Sequence, residues 1–179
     1  MDISKYDFIY ACAQKNFGAA GITLIIIKDD LLEKSNPALP NMLNYKSHFE
    51  QSSMLNTPNT FGWYLAGKIF DWYERSGGIL EMEKLSIKKS SLLYNIIDSS
   101  DFYSNPVNPK QRSRCNVVFT LLDEKLEKKF VDEADSEGLK YLKGHRSVGG
   151  MRASIYNAMK LSSVEALASF MEEFEKKYG

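Results

Sequence analysis

The stretch Ala11-Cys12-Ala13-Gln14-Lys15-Asn16-Phe17-Gly18-Ala19-Ala20-Gly21 decides how this chain is read. It follows Asp7-Phe8-Ile9-Tyr10, which has the composition of a short strand. One lysine then stands among residues that are nearly all small. Small neighbours leave room beside Lys15 for a flat ligand. An amine held in such a pocket loses part of its hydration, which favours the neutral, nucleophilic form. That form can make a Schiff base with an aldehyde cofactor. Taken alone, the pattern also fits a solvated loop lysine at a strand end.

Working outward, residues 6–12 and 22–28 read as two strands flanking the lysine turn. Thr23-Leu24-Ile25-Ile26-Ile27 is continuously apolar, which predicts a strand covered on both faces. Two strands do not make a stable sheet alone, so this pair is expected at the edge of a larger sheet whose other strands are missing. Residues 31–51 read as loop, broken by Pro37 and Pro40. Thr57 and Pro58 form an N-cap and first-position pair for a helix with Phe61, Leu65, Ile69 and Trp72 inward. The Gly77-Gly78 pair ends it and marks the domain boundary. A second helix is expected over 80–97, with the stripe Met82, Leu85, Leu92, Leu93 and Ile96.

Beyond Tyr103 the pattern becomes a small α+β unit. Strands are expected over 116–122, 139–142 and 151–156. Asp123 can cap a helix carrying Leu126, Phe130 and Ala134, and Ser162-Ser163-Val164-Glu165 is a capping-box start for the last helix. Val164, Leu167, Met171 and Phe174 would face inward. In the strand around Arg152, Met151, Ala153 and Ile155 take one face and Arg152, Ser154 and Tyr156 the other.

Bulk composition narrows the function classes. A formal net charge of zero gives no argument for nucleic acid. The longest apolar run, Ile22 to Ile27, is too short to span a bilayer, and the first residues have no signal-peptide pattern. Cys12 and Cys115 lie far apart without metal-ligand spacing, so no metal site is expected and a reducing cytoplasm fits.

Several segments together resemble one family. Ala13 to Gly21 is similar to the cofactor-lysine segment of phosphoserine aminotransferases, which belong to the class-V pyridoxal-phosphate aminotransferases. Asn56-Thr57-Pro58, Gly144-His145-Arg146 and Gly149-Gly150-Met151-Arg152-Ala153-Ser154-Ile155-Tyr156-Asn157-Ala158-Met159 resemble the family too, in the same order. The resemblance covers essentially the whole chain but only the C-terminal half of the family's usual sequence. It implies an α/β fold, the C-terminal part of a fold-type-I pyridoxal-phosphate transferase. Residues 1–78 would be a remnant of the large cofactor-binding domain and its sheet, and 79–179 the small C-terminal α+β domain.

The resemblance also implies roles. Lys15 would hold pyridoxal 5'-phosphate and move protons in catalysis. Asn56 and Thr57 would reach the cofactor phosphate of a neighbouring subunit, so a homodimer would share its active sites. On residues alone, Thr57 could equally be only a helix cap. Gln14 would lie near that same phosphate. Arg152 would bind the substrate α-carboxylate, although an arginine on a solvated sheet face has the same pattern. His145 and Arg146 would hold the substrate phosphate. The implied reaction exchanges an amino group between phosphoserine and 2-oxoglutarate, giving 3-phosphooxypyruvate and glutamate, in serine and pyridoxine biosynthesis.

The carboxylate for the pyridine nitrogen and the ring-stacking aromatic belong to the family's other half. The expectation is therefore an enzyme when complete and an inactive chain in isolation. The alternative is a truncated, non-catalytic remnant that folds and dimerises. Cys12 stands where the family usually has glycine, Ala19 and Asn59 where proline is common, and Cys115 where methionine is common. Cys12 could either crowd the lysine pocket or turn into the sheet.

Overall fold

A computed structural model describes residues 2–179. The chain divides into two compact units, Met1–Arg75 and Ser76–Gly179.

In the first unit, β1 (Phe8–Cys12) pairs antiparallel with β2 (Thr23–Ile27) in a register that sets Cys12 opposite Thr23 and Phe8 opposite Ile27. Among the described residues these strands pair only with each other. Leu24 is 46% exposed and Ile26 38%, so the expectation that β2 is covered on both faces does not hold within this chain. Among the described residues no second layer covers them.

Residues 31–51 are more regular than predicted. Asp29 and Asp30 sit in the first turn of a short helix, α1 (Asp29–Glu33), where carboxylates complement the helix dipole. The Asn44 side chain accepts from the Lys46 N–H and caps α2 (Tyr45–Glu50). The prolines lie between these helices and do not abolish them. The ring of Tyr45 lies 5.3 Å from that of Phe8, which seats α2 against β1.

The long helix α3 spans Thr60–Arg75, starting later than Thr57 and Pro58 suggest. Asn59 is its cap: its Oδ1 accepts from the Gly62 N–H at 3.0 Å and its carbonyl from the Trp63 N–H at 3.0 Å. Its buried positions are Gly62 and Ala66, flanked by half-buried Leu65, Ile69 and Tyr73. Phe61 and Trp72, expected inside, are exposed.

In the second unit, α4 (Gly78–Ser99) carries a deep stripe at Met82, Ser86, Lys89, Leu93 and Ile97, with the expected Leu85, Leu92 and Ile96 half-buried beside it. An antiparallel sheet in the order β3-β4-β5 comprises Tyr103–Ser104, Asn116–Leu121 and Met151–Ser154. The helices α5 (Glu127–Ser136) and α6 (Leu161–Tyr178) complete the unit. Phe130 sits at the centre of its core, with ring centroids 5.0 Å from Phe170, 5.0 Å from Phe174 and 5.6 Å from Phe119. Edge-on packing of this kind adds to the burial of apolar area.

Two predicted details differ. α6 is entered through Lys160 with no side-chain cap, so Ser162 does not close a capping box. Residues 139–142 do not form a strand, because Tyr141 takes a left-handed φ of 63°. Among the described residues no helix is long and apolar enough to cross a membrane, and no cluster of histidine, cysteine or carboxylate residues could hold a metal ion.

Candidate active site

The lysine turn is built around one carbonyl. Ala13, fully buried, accepts at its C=O from the N–H groups of Asn16, Phe17 and Gly18 at 3.2, 3.2 and 3.0 Å. Its own N–H donates to the Ile22 carbonyl at 3.0 Å, closing the turn onto the start of β2. A Cβ on Gly18 would lie 3.0 Å from Ala13 Cβ and 3.6 Å from Ala66 Cβ, so the turn and α3 approach closely only because these three residues are small.

One face of α3 and its cap hold the turn along its length. Asn59 Nδ2 donates to the Ala20 carbonyl at 3.4 Å. Ala66 packs at Gly18, and the Phe70 ring stacks on Phe17 at 5.8 Å. The Tyr73 hydroxyl donates to the Asn16 carbonyl at 2.8 Å. Positions 59, 66, 70 and 73 share a helical face. Sequence reasoning missed Asn59 and Tyr73; the one available signal was a capping-type residue three before Gly62.

Lys15 ends this 3-10 turn and is exposed. Among the described residues no hydrogen bond or ion pair engages its ammonium. This chain therefore presents the amine but does not itself bury it. Gln14 is exposed beside it. Cys12 turns toward its strand partner, with Sγ 3.8 Å from Thr23 Oγ1, and so follows the sheet. Asn56 and Thr57 are exposed in the irregular segment before α3, and the Asn56 amide donates to the Thr57 carbonyl at 3.2 Å. Thr57 does not cap the helix, since Asn59 does, and among the described residues no hydrogen bond engages its hydroxyl.

In the second unit the structure brings His145, Arg146 and Arg152 into one hairpin. Its base is closed by Arg152 N–H to the Leu142 carbonyl at 2.7 Å, a Lys143–Met151 bridge, and Gly144 N–H to the Gly150 carbonyl at 2.8 Å. His145 and Arg146 lie at the exposed tip. His145 Nδ1 accepts from the Ser147 N–H at 3.3 Å and lies 2.7 Å from Ser147 Oγ. That leaves Nε2 as the nitrogen able to donate outward. Met151 and Ala153 are buried, so Arg152 takes the opposite face of β5, as the alternation predicts. Its Nε is the only buried side-chain nitrogen or oxygen without a hydrogen-bond partner among the described residues. A desolvated guanidinium N–H left unpaired is costly, and an incoming acceptor would relieve that cost.

The sequence pattern of the Aminotransferase class-V family matches residues 1–167. The chain belongs to the class-V aminotransferase family. Within this family, its whole length is 51% identical to the phosphoserine aminotransferase of Pseudomonas aeruginosa, covering 50% of that protein. The phosphoserine aminotransferase from Bacillus circulans subsp. alkalophilus superposes with a TM-score of 0.95 at 44% identity, over 100% of this chain and 50% of that one. The PLP-bound phosphoserine aminotransferase from Trichomonas vaginalis gives 0.88 at 40% identity, over 96% of this chain and 49% of that one. The chain thus spans about half the length of the relatives it matches. Its mixed helix-and-sheet architecture is that of half of a class-V aminotransferase.

Proposed function

We propose that this chain is part of a phosphoserine aminotransferase that exchanges an amino group between O-phospho-L-serine and 2-oxoglutarate, giving 3-phosphooxypyruvate and glutamate. The observation that carries this reading is 51% identity running over all 179 residues. The lysine turn, the Asn56-Thr57 pair and the arginine hairpin all fall inside it.

The donor set fits pyridoxal 5'-phosphate: an amine without a partner among the described residues, the small residues Ala13 and Gly18 in its turn, and amide and hydroxyl donors at Gln14, Asn56 and Thr57. When bound, that cofactor supplies an electron sink for charge developing at the substrate α-carbon. Lys15 Nζ is the group that holds the cofactor and moves the proton at the α-carbon. Gln14, Asn56 and Thr57 donate to the cofactor phosphate, the last two from a neighbouring subunit of a homodimer. The Arg152 guanidinium grips the α-carboxylate, for which its planar fork is suited. His145 and Arg146 hold the substrate phosphate. The reading places the protein in the cytoplasm, in serine and pyridoxine biosynthesis.

For the chain in isolation a second reading has its own support. Lys15 is exposed, and Leu24 and Ile26 on β2 lie open. The isolated chain is then a folded, inactive piece. A coupled assay with phosphoserine and 2-oxoglutarate tests both readings. Turnover is expected when this chain is joined to the half of its relatives' length that it does not span, and none from the chain alone. Absence of turnover in the joined protein overturns the first reading. Robust turnover by the chain alone overturns the second.

A further inference from the structure

Lys89 lies in the middle of α4, on the stripe that faces the core, and is 1% exposed. Its Nζ is 2.7 Å from the Tyr156 carbonyl, 3.0 Å from that of Met159 and 3.5 Å from that of Asn157. Three ammonium protons thus meet three main-chain acceptors. No carboxylate pairs with it among the described residues; burial pushes its pKa down from the ordinary lysine value, against a smaller opposite pull from Cys115. An ammonium is kept inside a protein only where its hydrogen bonds are met.

The carbonyls explain why it is there. β5 ends at Ser154, and its last extension is the Ile155 N–H donated to the Cys115 carbonyl at 2.8 Å. From there to the start of α6 the backbone has no ladder to join. A turn from the Met159 N–H to the Tyr156 carbonyl at 2.9 Å bonds it internally, and Lys89 is a second donor to that carbonyl. Inward-turned carbonyls in such a segment need donors. Lys89 supplies them from one point and fixes the path of the chain immediately after the strand that carries Arg152.

We propose that Lys89 is a positioning residue for Arg152: a buried ammonium on α4 that sets the course of residues 155–160 and, through it, the half-buried row formed by Arg152 and Ser154 on β5 and Tyr156 just beyond it. The functional meaning of that row rests on the carboxylate-binding role proposed for Arg152. The effect of Lys89 on it does not.

The test uses the 179-residue chain and the NMR signals of the Arg152 Nε–H and of the Ser154 and Tyr156 amides, alongside the thermal midpoint. Lys89→Met keeps length and apolar bulk but removes charge and donors. It should shift all three signals, lower the midpoint and leave the Phe17 amide unchanged. Lys89→Ala should do the same, and ethylammonium, which restores an N–H donor in the vacated space, should reverse it. Tetramethylammonium at equal concentration, which has no N–H, should not. Unchanged Arg152 and Tyr156 signals in Lys89→Met would overturn the proposal, as would equal recovery with both cations. If Lys89→Met does not fold, recovery of the Lys89→Ala fold by ethylammonium alone supports it, and failure to recover counts against it. Phosphoserine added to the unmodified chain is a separate arm: an unmoved Arg152 signal there would weigh against carboxylate binding by Arg152 and leave the Lys89 result standing.

Discussion

The hydroxyl of Tyr73 donates to the main-chain carbonyl of Asn16 at 2.8 Å, joining the last turn of α3 to the residue that follows Lys15. The lysine's position is thereby set from both ends of a helix, by Asn59 at the cap and Tyr73 near the C-terminus. A rigid element that fixes a loop residue limits the freedom an otherwise exposed lysine would have.

Replacing Tyr73 by Phe removes this tether and keeps the ring. The expected loss is about 1 kcal/mol, the usual net worth of one such hydrogen bond. The larger effect should be local. Hydrogen exchange at the Phe17 and Gly18 amides, both bonded to the Ala13 carbonyl, should quicken relative to the β1–β2 amides. Unchanged exchange there would mean that stacking of Phe17 on Phe70 holds the turn without Tyr73.

Gly144→Ala should break the hairpin that carries His145 and Arg146. A Cβ at this position would lie 2.0 Å from the Gly149 carbonyl oxygen, a main-chain atom that cannot swing aside. Overpacking of this kind costs roughly 1–3 kcal/mol, and the Gly144–Gly150 hydrogen bond would be lost as well. A lower melting midpoint and faster exchange at the Gly144 and Arg152 amides are the expected results.

What the sequence made legible follows from which interactions leave a periodic trace. Val164, Leu167, Met171 and Phe174 are large, apolar and helically spaced, and all four are buried. The inward face of α3 gave the wrong aromatic residues for a physical reason. That helix meets the lysine turn through Gly62 and Ala66, and small residues carry almost no hydrophobic signal, whereas Phe61 and Trp72 do. Lys89 leaves no such trace, because a charge on an apolar stripe reads as an interruption, although it stands in register with Met82 and Leu93. The bonding that joins His145, Arg146 and Arg152 is main-chain pairing across the hairpin base, which side-chain identity does not record.

The ion pair between Asp7 and Lys28 closes the open end of the β1–β2 pair at 2.6 Å, beside the Lys28 N–H to Asp7 carbonyl bond at 3.1 Å. The hydrogen bond from Lys28, then its charge, holds the Asp7 carboxyl below its ordinary value of 3.8. A depressed folded-state pKa means that the unfolded chain binds the proton more readily. The contribution to stability is then fully present above the ordinary value and is lost as pH falls through the folded one. Both side chains are largely exposed, so the effect is small and sensitive to salt. Lys28→Met should raise the Asp7 midpoint in an NMR pH titration and make the acid limb of stability less dependent on ionic strength. An unmoved midpoint would show that the pair does not persist in solution.

The last prediction separates the two ends of the substrate in the joined, catalytically complete protein. Phosphoserine and glutamate both present an α-carboxylate, and only phosphoserine carries a phosphate. Arg152→Ala should therefore slow both half-reactions together, by an amount corresponding to roughly 3 kcal/mol for a desolvated charge-assisted pair. The orphaned Nε of Arg152 gives the guanidinium one further donor to commit to that carboxylate. Replacing His145 and Arg146 should spare the glutamate half-reaction and slow the phosphoserine one, about tenfold for each 1.4 kcal/mol lost. Single-turnover absorbance of the cofactor with each amino acid reads the two separately. Equal losses for both substrates in the His145 and Arg146 variants would show that the hairpin tip is not a phosphate reader. The substrate assignment would then fail, while the role of Lys15 would be untouched.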